Sequence, residues 1–208
     1  MKQLYFVRHG QTEWNAIRRM QGQWNSDLSE LGKGHADVNG KLLSSLNIEA
    51  MYVSPLDRTR QTAEIINQHV GLTPIYDDRI MEWHTGDWSG EMYADIKVKW
   101  EAEWQALEAD RFNYRPPNGE NYPDMFARST PFVEELLQSD HSSIAIVSHG
   151  MIGKVMVSHL MGYEPEQTLA IHQHNDMVYR ISIDGEQRTI AFFDAGNGPI
   201  DGIPEALG

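Results

Sequence analysis

Short apolar runs punctuate the chain at positions where polar segments follow them at once. Leu4–Val7, Met51–Val53 and Ile144–Val147 contain only apolar or aromatic residues. Runs this short, bounded by polar or turn-forming residues, are typical of strands buried on both faces of a sheet. The pattern therefore predicts at least three core strands, and a weaker run at residues 73–76 is a candidate fourth.

Helical periodicity fills the segments between these strands. The segment Ser29–Leu46 returns apolar residues at helical spacing, and Ser29 is a good N-cap. A second helix is predicted to begin at Ser54, with Pro55 at the first helical position and Asp57 closing a capping box. Gly71 is the expected stop of that helix.

The rest of the chain continues the alternation of helices and strands. Helices are predicted at about 91–110, 122–138 and 151–161, and late strands at 178–183 and 189–193. Alternation of this kind predicts an α/β fold, a three-layer α/β/α sandwich with a mostly parallel central sheet. We expect one domain spanning residues 1–208, with a short helical insertion at about residues 88–121 that interrupts the rhythm.

Composition narrows the possible partners. The chain has 30 acidic against 17 basic residues, for a net charge of -13. Such a chain repels nucleic acid and anionic membranes, so neither is expected as a partner. If the ligand is itself an anion, the few Arg and His residues must be concentrated at one place.

The lack of certain residue types and segments excludes further classes of protein and of functional site. The sequence contains no cysteine, which excludes disulfides, thiolate catalysis and zinc sites built on sulfur. No run approaches the roughly 18 apolar residues of a membrane span. The first residues lead directly into a predicted strand without a secretory signal pattern, so a cytoplasmic location is expected.

Basic side chains follow three of the predicted strands. Arg8 and His9 come after the first strand, Arg58 after the second, and His149 after the Ile144–Val147 strand. Each residue alone could be solvated or paired with a carboxylate. Because ligands of parallel sheets bind at the carboxyl ends of the strands, three strand ends that each deliver Arg or His predict an anion site.

Four sequence blocks carry a specific resemblance. They are Val7–Asn15 (VRHGQTEWN), Ser54–Ala63 (SPLDRTRQTA), Glu82–Gly90 (EWHTGDWSG) and Val147–Gly150 (VSHG). In this order they resemble the blocks of the histidine phosphatase superfamily, also called phosphoglycerate mutase-like. The resemblance covers most of the chain and implies an active site at the predicted anion-binding edge of the sheet, with the helical insertion over it.

The resemblance implies roles for the basic residues. His9 would attack a phosphomonoester in line and form a phosphohistidine, which splits one difficult step into two. Arg8, Arg58 and His149 would neutralise the phosphate oxygens. A transfer of this kind needs mainly positioning and charge stabilisation, so the resemblance implies neither a metal ion nor a cofactor.

The remaining site residues are also assigned through the resemblance. Glu82 stands at the family's acid position, where it would protonate the leaving group and later deprotonate water. Asn15 and Gly22 would complete the phosphate pocket. Arg111 and Arg115 lie in the insertion, where similar proteins place basic residues that hold the remote end of the substrate. A solvated helix end is the alternative for these two.

Several functions remain open at this point. A metal-independent phosphatase of small phosphorylated metabolites is the leading prediction, and a cofactor-dependent phosphoglycerate mutase is the alternative. A protein phosphatase is disfavoured by the insertion, and a non-catalytic relative by the presence of all the site residues. Two departures from the family pattern follow His149, where Met151 and Lys154 replace a frequent Gly and Arg. Substrate and oligomeric state are not specified by the sequence.

Overall fold

The computed structural model describes residues 1–204, and its centre is a seven-stranded sheet. The strand order is β3-β2-β4-β1-β5-β6-β7. The strands are β1 (Lys2–Arg8), β2 (Ala50–Val53), β3 (Ile75–Tyr76), β4 (Ser143–Ser148), β5 (Met177–Asp184), β6 (Gln187–Asp194) and β7 (Asn197–Asp201). The first four strands of that order pair in parallel, and β5, β6 and β7 extend the sheet as an antiparallel meander.

Helices cover both faces of the sheet. They are α1 (Glu13–Ala16), α2 (Glu30–Ser44), α3 (Asp57–Val70), α4 (Tyr93–Lys99), α5 (Glu101–Ala109), α6 (Tyr122–Gln138), α7 (Gly150–Met161) and α8 (Pro165–Ala170). Two short 3₁₀ helices, Asp78–Ile80 and Gly86–Trp88, lie between β3 and α4. The predicted α/β architecture with a mostly parallel sheet is confirmed. Among residues 1–204, no helix has the length and apolar character that crossing a membrane requires.

Strand β1 shows why the central runs are continuously apolar. Successive side chains of a strand point to opposite faces of the sheet. Leu4 and Phe6 pack in the core formed with α6 and α7, whereas Tyr5 and Val7 pack in the core formed with α2 and α3. A central strand with helices on both faces therefore has no solvent-facing position for a polar residue.

The predicted start of α3 is wrong, although its predicted stop at Gly71 is confirmed. The helix begins at Asp57, and its N-cap Leu56 makes no side-chain hydrogen bond. The hydroxyl of Ser54 lies 2.7 Å from His149 Nε2, and the Ser54 carbonyl accepts a hydrogen bond from Thr59. A tertiary contact with a neighbouring strand end has therefore replaced the local cap.

The predicted long helix at residues 91–110 is two helices. Trp100 lies between α4 and α5 with φ -124° and ψ 52°, outside the helical region. This break lets tryptophans from the segment converge. Buried Trp88 lies 6.0 Å from the ring of Trp104 and stacks with Tyr114 at 5.9 Å. The segment between β3 and α6 thus supplies the aromatic side chains of a small separate core that also contains Met20.

Candidate active site

Parallel pairing brings three polar strand ends together. Strand β4 lies between β1 and β2, with Val147 in register with Val7 on one side and Val53 on the other. The backbone N–H of His9 donates to the Ser148 carbonyl at 3.0 Å, so the ladder continues past the strand end. His9 and His149 consequently lie side by side, with ring centroids 5.2 Å apart and planes inclined by 62°.

The hydrogen bonding of His9 defines its tautomer. The ring is buried, and Nδ1 lies 2.7 Å from the carbonyl oxygen of Gly10. Because a carbonyl oxygen only accepts, Nδ1 carries the proton, and the lone pair of the neutral ring is on Nε2. Burial, then the charges of Arg58 and Arg8, holds the pKa of His9 well below 6.5. His9 is therefore a neutral imidazole with an available nucleophilic nitrogen.

The neutral state of the two neighbouring rings is testable by NMR. Burial, then the Arg58 charge, also holds the pKa of His149 well below 6.5. A lowered pKa leaves both rings uncharged above about pH 6, the ordinary range for histidine titration. We expect the ring nitrogen shifts of His9 and His149 to stay constant between about pH 6 and 8 in ¹⁵N-histidine spectra. Titration of either ring near pH 6.5 would show that its pKa is not lowered by burial and the neighbouring arginines.

Arg58 is buried at the start of α3 and held by several acceptors. Its Nη2 donates to the Gly22 carbonyl at 2.6 Å and its Nη1 to the Trp24 carbonyl at 2.7 Å. Its Nε donates to His149 Nδ1 at 3.2 Å. Burial lowers the Arg58 pKa to about 10, with Glu82 opposing this effect and Arg8 adding to it. The guanidinium remains charged at neutral pH in a fixed orientation.

Arg8 is less completely bonded than Arg58. Its Nη1 donates to the Gln173 carbonyl at 2.7 Å, but its buried Nε has no hydrogen-bond partner among residues 1–204. Burial lowers the pKa of Arg8, and the nearby Glu82 carboxylate opposes the shift. An unpaired buried donor on a cation is costly unless a ligand supplies the acceptor. This donor therefore favours the binding of an anion beside His9.

His149 lies behind His9 rather than in the cavity wall. Its Nδ1 accepts from Arg58, so the proton of the neutral ring is on Nε2, 2.7 Å from the Ser54 hydroxyl. Both ring nitrogens thus have protein partners. The direct contact with phosphate that the family resemblance implies requires Nε2 to leave Ser54.

Glu82 caps helix α7 from a distant loop. Its carboxylate accepts backbone hydrogen bonds from Met151 at 3.2 Å, Ile152 at 3.1 Å and Trp83 at 2.8 Å. The N-cap residue of α7, His149, makes no side-chain cap bond, so Glu82 supplies the missing acceptor. The carboxylate is thereby held at the cavity that His9 lines.

Asn15 and Gly22 lie at the same cavity for different structural reasons. Asn15 forms a reciprocal capping box with Thr12 at the start of α1. Gly22 has φ +54°, in the left-handed region, and a Cβ there would lie 2.3 Å from Thr85 Oγ1. Glycine lets this loop approach closely enough for its carbonyl to bind Arg58.

The cavity concentrates positive charge. It has a volume of about 310 Å³, and its charged lining residues are Arg8, Arg19, Arg58, Lys154 and Glu82. In a chain with 30 acidic and 17 basic residues, four cations against one carboxylate make this an anion site. The motifs did not single out Arg19, Tyr93 or Gln173, which also line the cavity. Their positions depend on loops that only the tertiary structure brings together.

The two insertion arginines have different positions. Arg111 lines a second, adjoining cavity rather than the one around His9. Arg115 lies on the exposed surface, where its Nη2 donates to Asp124 at 2.7 Å, and it lines neither of these cavities. The structure therefore does not bring Arg115 into the site.

A partly buried ion pair fixes the loop that carries Glu82. Arg128 of α6 donates through Nε and Nη2 to both carboxylate oxygens of Glu120, each at 2.9 Å. Its Nη1 also donates to the carbonyls of Arg79 and Met81, both at 2.9 Å. Glu120 in turn accepts the backbone N–H of His84 at 3.0 Å. The pair thus joins the two flanks of Glu82 to helix α6.

Removing this clamp is expected to destabilise the protein. We expect Arg128→Met to lower the free energy of unfolding by about 2 kcal/mol, because it leaves Glu120 and two carbonyls without their donor. Arg128→Lys should rescue only part of the loss, since an ammonium cannot form the bidentate pair. Urea unfolding followed by circular dichroism measures both variants. Stability equal to wild type in Arg128→Met would show that the clamp contributes nothing.

Known proteins with the same organisation were found by sequence and by structure. The sequence model of the histidine phosphatase superfamily (branch 1) matches residues 4–195. The probable phosphoglycerate mutase GpmB of Erwinia tasmaniensis is 35% identical over 182 residues, covering 87% of this chain and 85% of that protein. Phosphoserine phosphatase 1 of Hydrogenobacter thermophilus is 32% identical over 165 residues, covering 79% and 78%.

A solved structure has a closely similar fold. The mycobacterial glucosyl-3-phosphoglycerate phosphatase in complex with VO3 superimposes with a TM-score of 0.81 at 30% identity. The superposition covers 88% of this chain and 93% of that chain. The family match spans most of the sequence, and the chain therefore belongs to the histidine phosphatase superfamily, branch 1.

Proposed function

We propose that this protein is a phosphomonoester hydrolase that acts on small phosphorylated metabolites through a phosphohistidine on His9. One observation carries the proposal: a buried, neutral His9 has its Nδ1 bound to a carbonyl and its Nε2 lone pair available, beside two arginines. The arginine charges counter the phosphate dianion that would otherwise repel a nucleophile. The proposed reaction therefore needs no metal ion.

The first half-reaction transfers the phosphoryl group to the enzyme. The substrate phosphate binds beside Arg8 and Arg58, and the Nε2 lone pair of His9 attacks phosphorus opposite the leaving oxygen. A P–N bond forms as the P–O bond to the leaving group breaks. The protonated carboxyl of Glu82 gives its proton to that oxygen, so the product leaves as an alcohol.

The second half-reaction restores the enzyme. Glu82, now a carboxylate, removes a proton from water while the water oxygen attacks phosphorus. The P–N bond breaks, its electron pair returns to Nε2, and inorganic phosphate is released. His149 orients Arg58 through Nδ1 throughout. When the Nε2–H of His149 leaves the Ser54 hydroxyl, it donates a hydrogen bond to a phosphate oxygen instead.

Relatives support two outcomes for the phosphoenzyme. Those named phosphoserine phosphatase and glucosyl-3-phosphoglycerate phosphatase support transfer to water. The relative named probable phosphoglycerate mutase supports a second candidate, in which the phosphoryl group returns to a different oxygen of the bound product. Hydrolysis is the leading proposal, because the Glu82–Gly90 block resembles the phosphatase form of the family.

Phosphate release from a substrate panel tests the proposal. The panel contains phosphoserine, 3-phosphoglycerate, glycerol 3-phosphate and 4-nitrophenyl phosphate, each assayed with EDTA present. We expect release from at least one metabolite, with isomerisation of 3-phosphoglycerate much slower than any hydrolysis. Rapid isomerisation without net release would replace the hydrolase by a mutase, and inactivity in both assays would contradict both.

A further inference from the structure

A second cavity adjoins the site around His9. It has a volume of about 330 Å³, within the usual range of small-molecule sites. It shares five lining residues with the first cavity: Trp83, Tyr93, Met151, Lys154 and His172. The two cavities therefore adjoin along this shared wall, so a ligand bound at His9 lies next to the second space.

The chemical character of the wall changes between the two cavities. The first is lined mainly by polar and charged side chains. The second adds aromatic and aliphatic side chains from the insertion, α6 and α8: Trp104, Leu107, Tyr114, Tyr122, Met125 and Leu169. A wall of this kind favours the burial of an apolar group by removing its surface from water.

Lys154 is placed at the junction of the two cavities. Gly150, at the start of α7, faces the Arg8 guanidinium. Lys154 lies four residues later, one helical turn on, and therefore on the same face of the helix. Lys33, Lys41 and Lys99 each pair with a carboxylate within 2.8 Å, whereas Lys154 has no carboxylate within 4.0 Å among residues 1–204. Burial lowers the pKa of Lys154 to about 8, so its ammonium is predominantly charged at neutral pH.

Arg111 adds a second cation to the outer cavity. It too has no carboxylate within 4.0 Å in the described part of the chain. The acid at this cavity, Glu108, accepts a hydrogen bond from Trp104 Nε1 at 2.8 Å. A strongly acidic protein thus keeps two cations without carboxylate partners beside an apolar wall. That combination matches an organic anion, because a partly buried ammonium such as that of Lys154 is stabilised by a charged acceptor.

We propose that the second cavity binds the leaving group of the substrate, and that this group combines an apolar portion with a carboxylate that pairs with Lys154. The substrate class is accordingly a phosphomonoester of an organic acid with a hydrocarbon or aromatic portion. The inference rests on the proposed function only in placing the phosphate at His9. Lys154 is a specificity-determining residue in this arrangement, and the apolar wall supplies the remaining affinity.

Binding of phosphonates tests the inference without requiring turnover. Benzylphosphonate, its 3- and 4-carboxy derivatives and methylphosphonate are titrated calorimetrically into wild type, Lys154→Met and a control, Lys41→Met. Wild type should bind one carboxy derivative roughly tenfold or more tightly than benzylphosphonate, as a charge-assisted hydrogen bond implies. It should also bind benzylphosphonate more tightly than methylphosphonate. Lys154→Met should abolish the carboxylate preference, whereas Lys41→Met should keep it.

The outcomes separate this inference from the proposed hydrolysis. Phosphonate binding with the expected preferences, but without phosphate release from any substrate, would contradict the hydrolase and leave the subsite supported. Equal binding of carboxylated and plain benzylphosphonate by wild type would overturn the inference, as would a preference that survives in Lys154→Met. Equal binding of benzylphosphonate and methylphosphonate would overturn the assignment of the apolar wall, and failure to bind any phosphonate would overturn the whole subsite.

Discussion

His9→Ala is expected to lower phosphate release by about four orders of magnitude or more, the scale seen when an enzyme loses its nucleophile. The neighbouring ring of His149 cannot replace the Nε2 lone pair of His9, because both of its nitrogens are bound by protein groups. Water would then have to attack the phosphate directly. Initial rates of phosphate release at saturating substrate measure the effect.

Matched variants separate lost chemistry from lost structure. His9 is buried, so alanine leaves a void, whereas His9→Asn retains an N–H donor for the Gly10 carbonyl without a nucleophile. Both variants should be inactive, and His9→Asn should unfold closer to wild type. His141→Ala changes a half-exposed histidine near Glu49 and should leave activity unchanged. Only proteins with His9 should yield an acid-labile phosphoenzyme, and its formation in His9→Asn would refute the assignment.

Glu82→Gln is expected to slow alkyl phosphates about 10² to 10⁴-fold, the usual contribution of a general acid. Aryl phosphates should be affected much less, because their leaving groups depart without a proton. The ratio of kcat for glycerol 3-phosphate to kcat for 4-nitrophenyl phosphate measures the difference. Equal losses on the two substrates would remove Glu82 from the acid role.

The ratio also corrects for the structural role of Glu82. Its two carboxylate oxygens accept three backbone N–H groups, and a glutamine amide offers only one oxygen for them. Glu82→Gln should therefore lower stability, but that loss affects both substrates alike. Asp87→Asn is the matched control, because Asp87 is an exposed acid on the same loop that contacts Asn118 and lines neither cavity. It should keep the wild-type ratio.

Local sequence patterns correctly predicted those elements whose structure depends mainly on neighbouring residues in the chain. The continuous apolar run Leu4–Val7 predicted a central strand, since helices on both faces leave such a strand no polar side. Gly71 ends α3 because it adopts the left-handed conformation that other residues avoid. The break at Trp100 was not predicted, because the apolar spacing on both sides is helical and the packing of the insertion tryptophans decides against one long helix.

Some features of the active site were likewise predictable from the sequence, whereas others depend on tertiary packing. Motif order predicted that Arg8, His9 and Arg58 would meet, because parallel strand ends share one edge of the sheet, and the structure places all three at one cavity. The ion pair of Arg115 with Asp124 depends on how the insertion packs against α6, which no local pattern records. The same holds for Ser54, whose sequence context suggests a helix cap but whose hydroxyl contacts His149.

The sequence by itself therefore determined the α/β class, the family and the type of chemistry, because hydrophobic periodicity and short motifs are local properties. Only the tertiary structure decided the tautomer of His9, the position of His149 behind it and the capping of α7 by Glu82. It also decided that Lys154 lies between two cavities, with no carboxylate within 4.0 Å among residues 1–204. These features depend on distances between residues far apart in the chain, and such distances exist only after the sheet and its covering helices have packed.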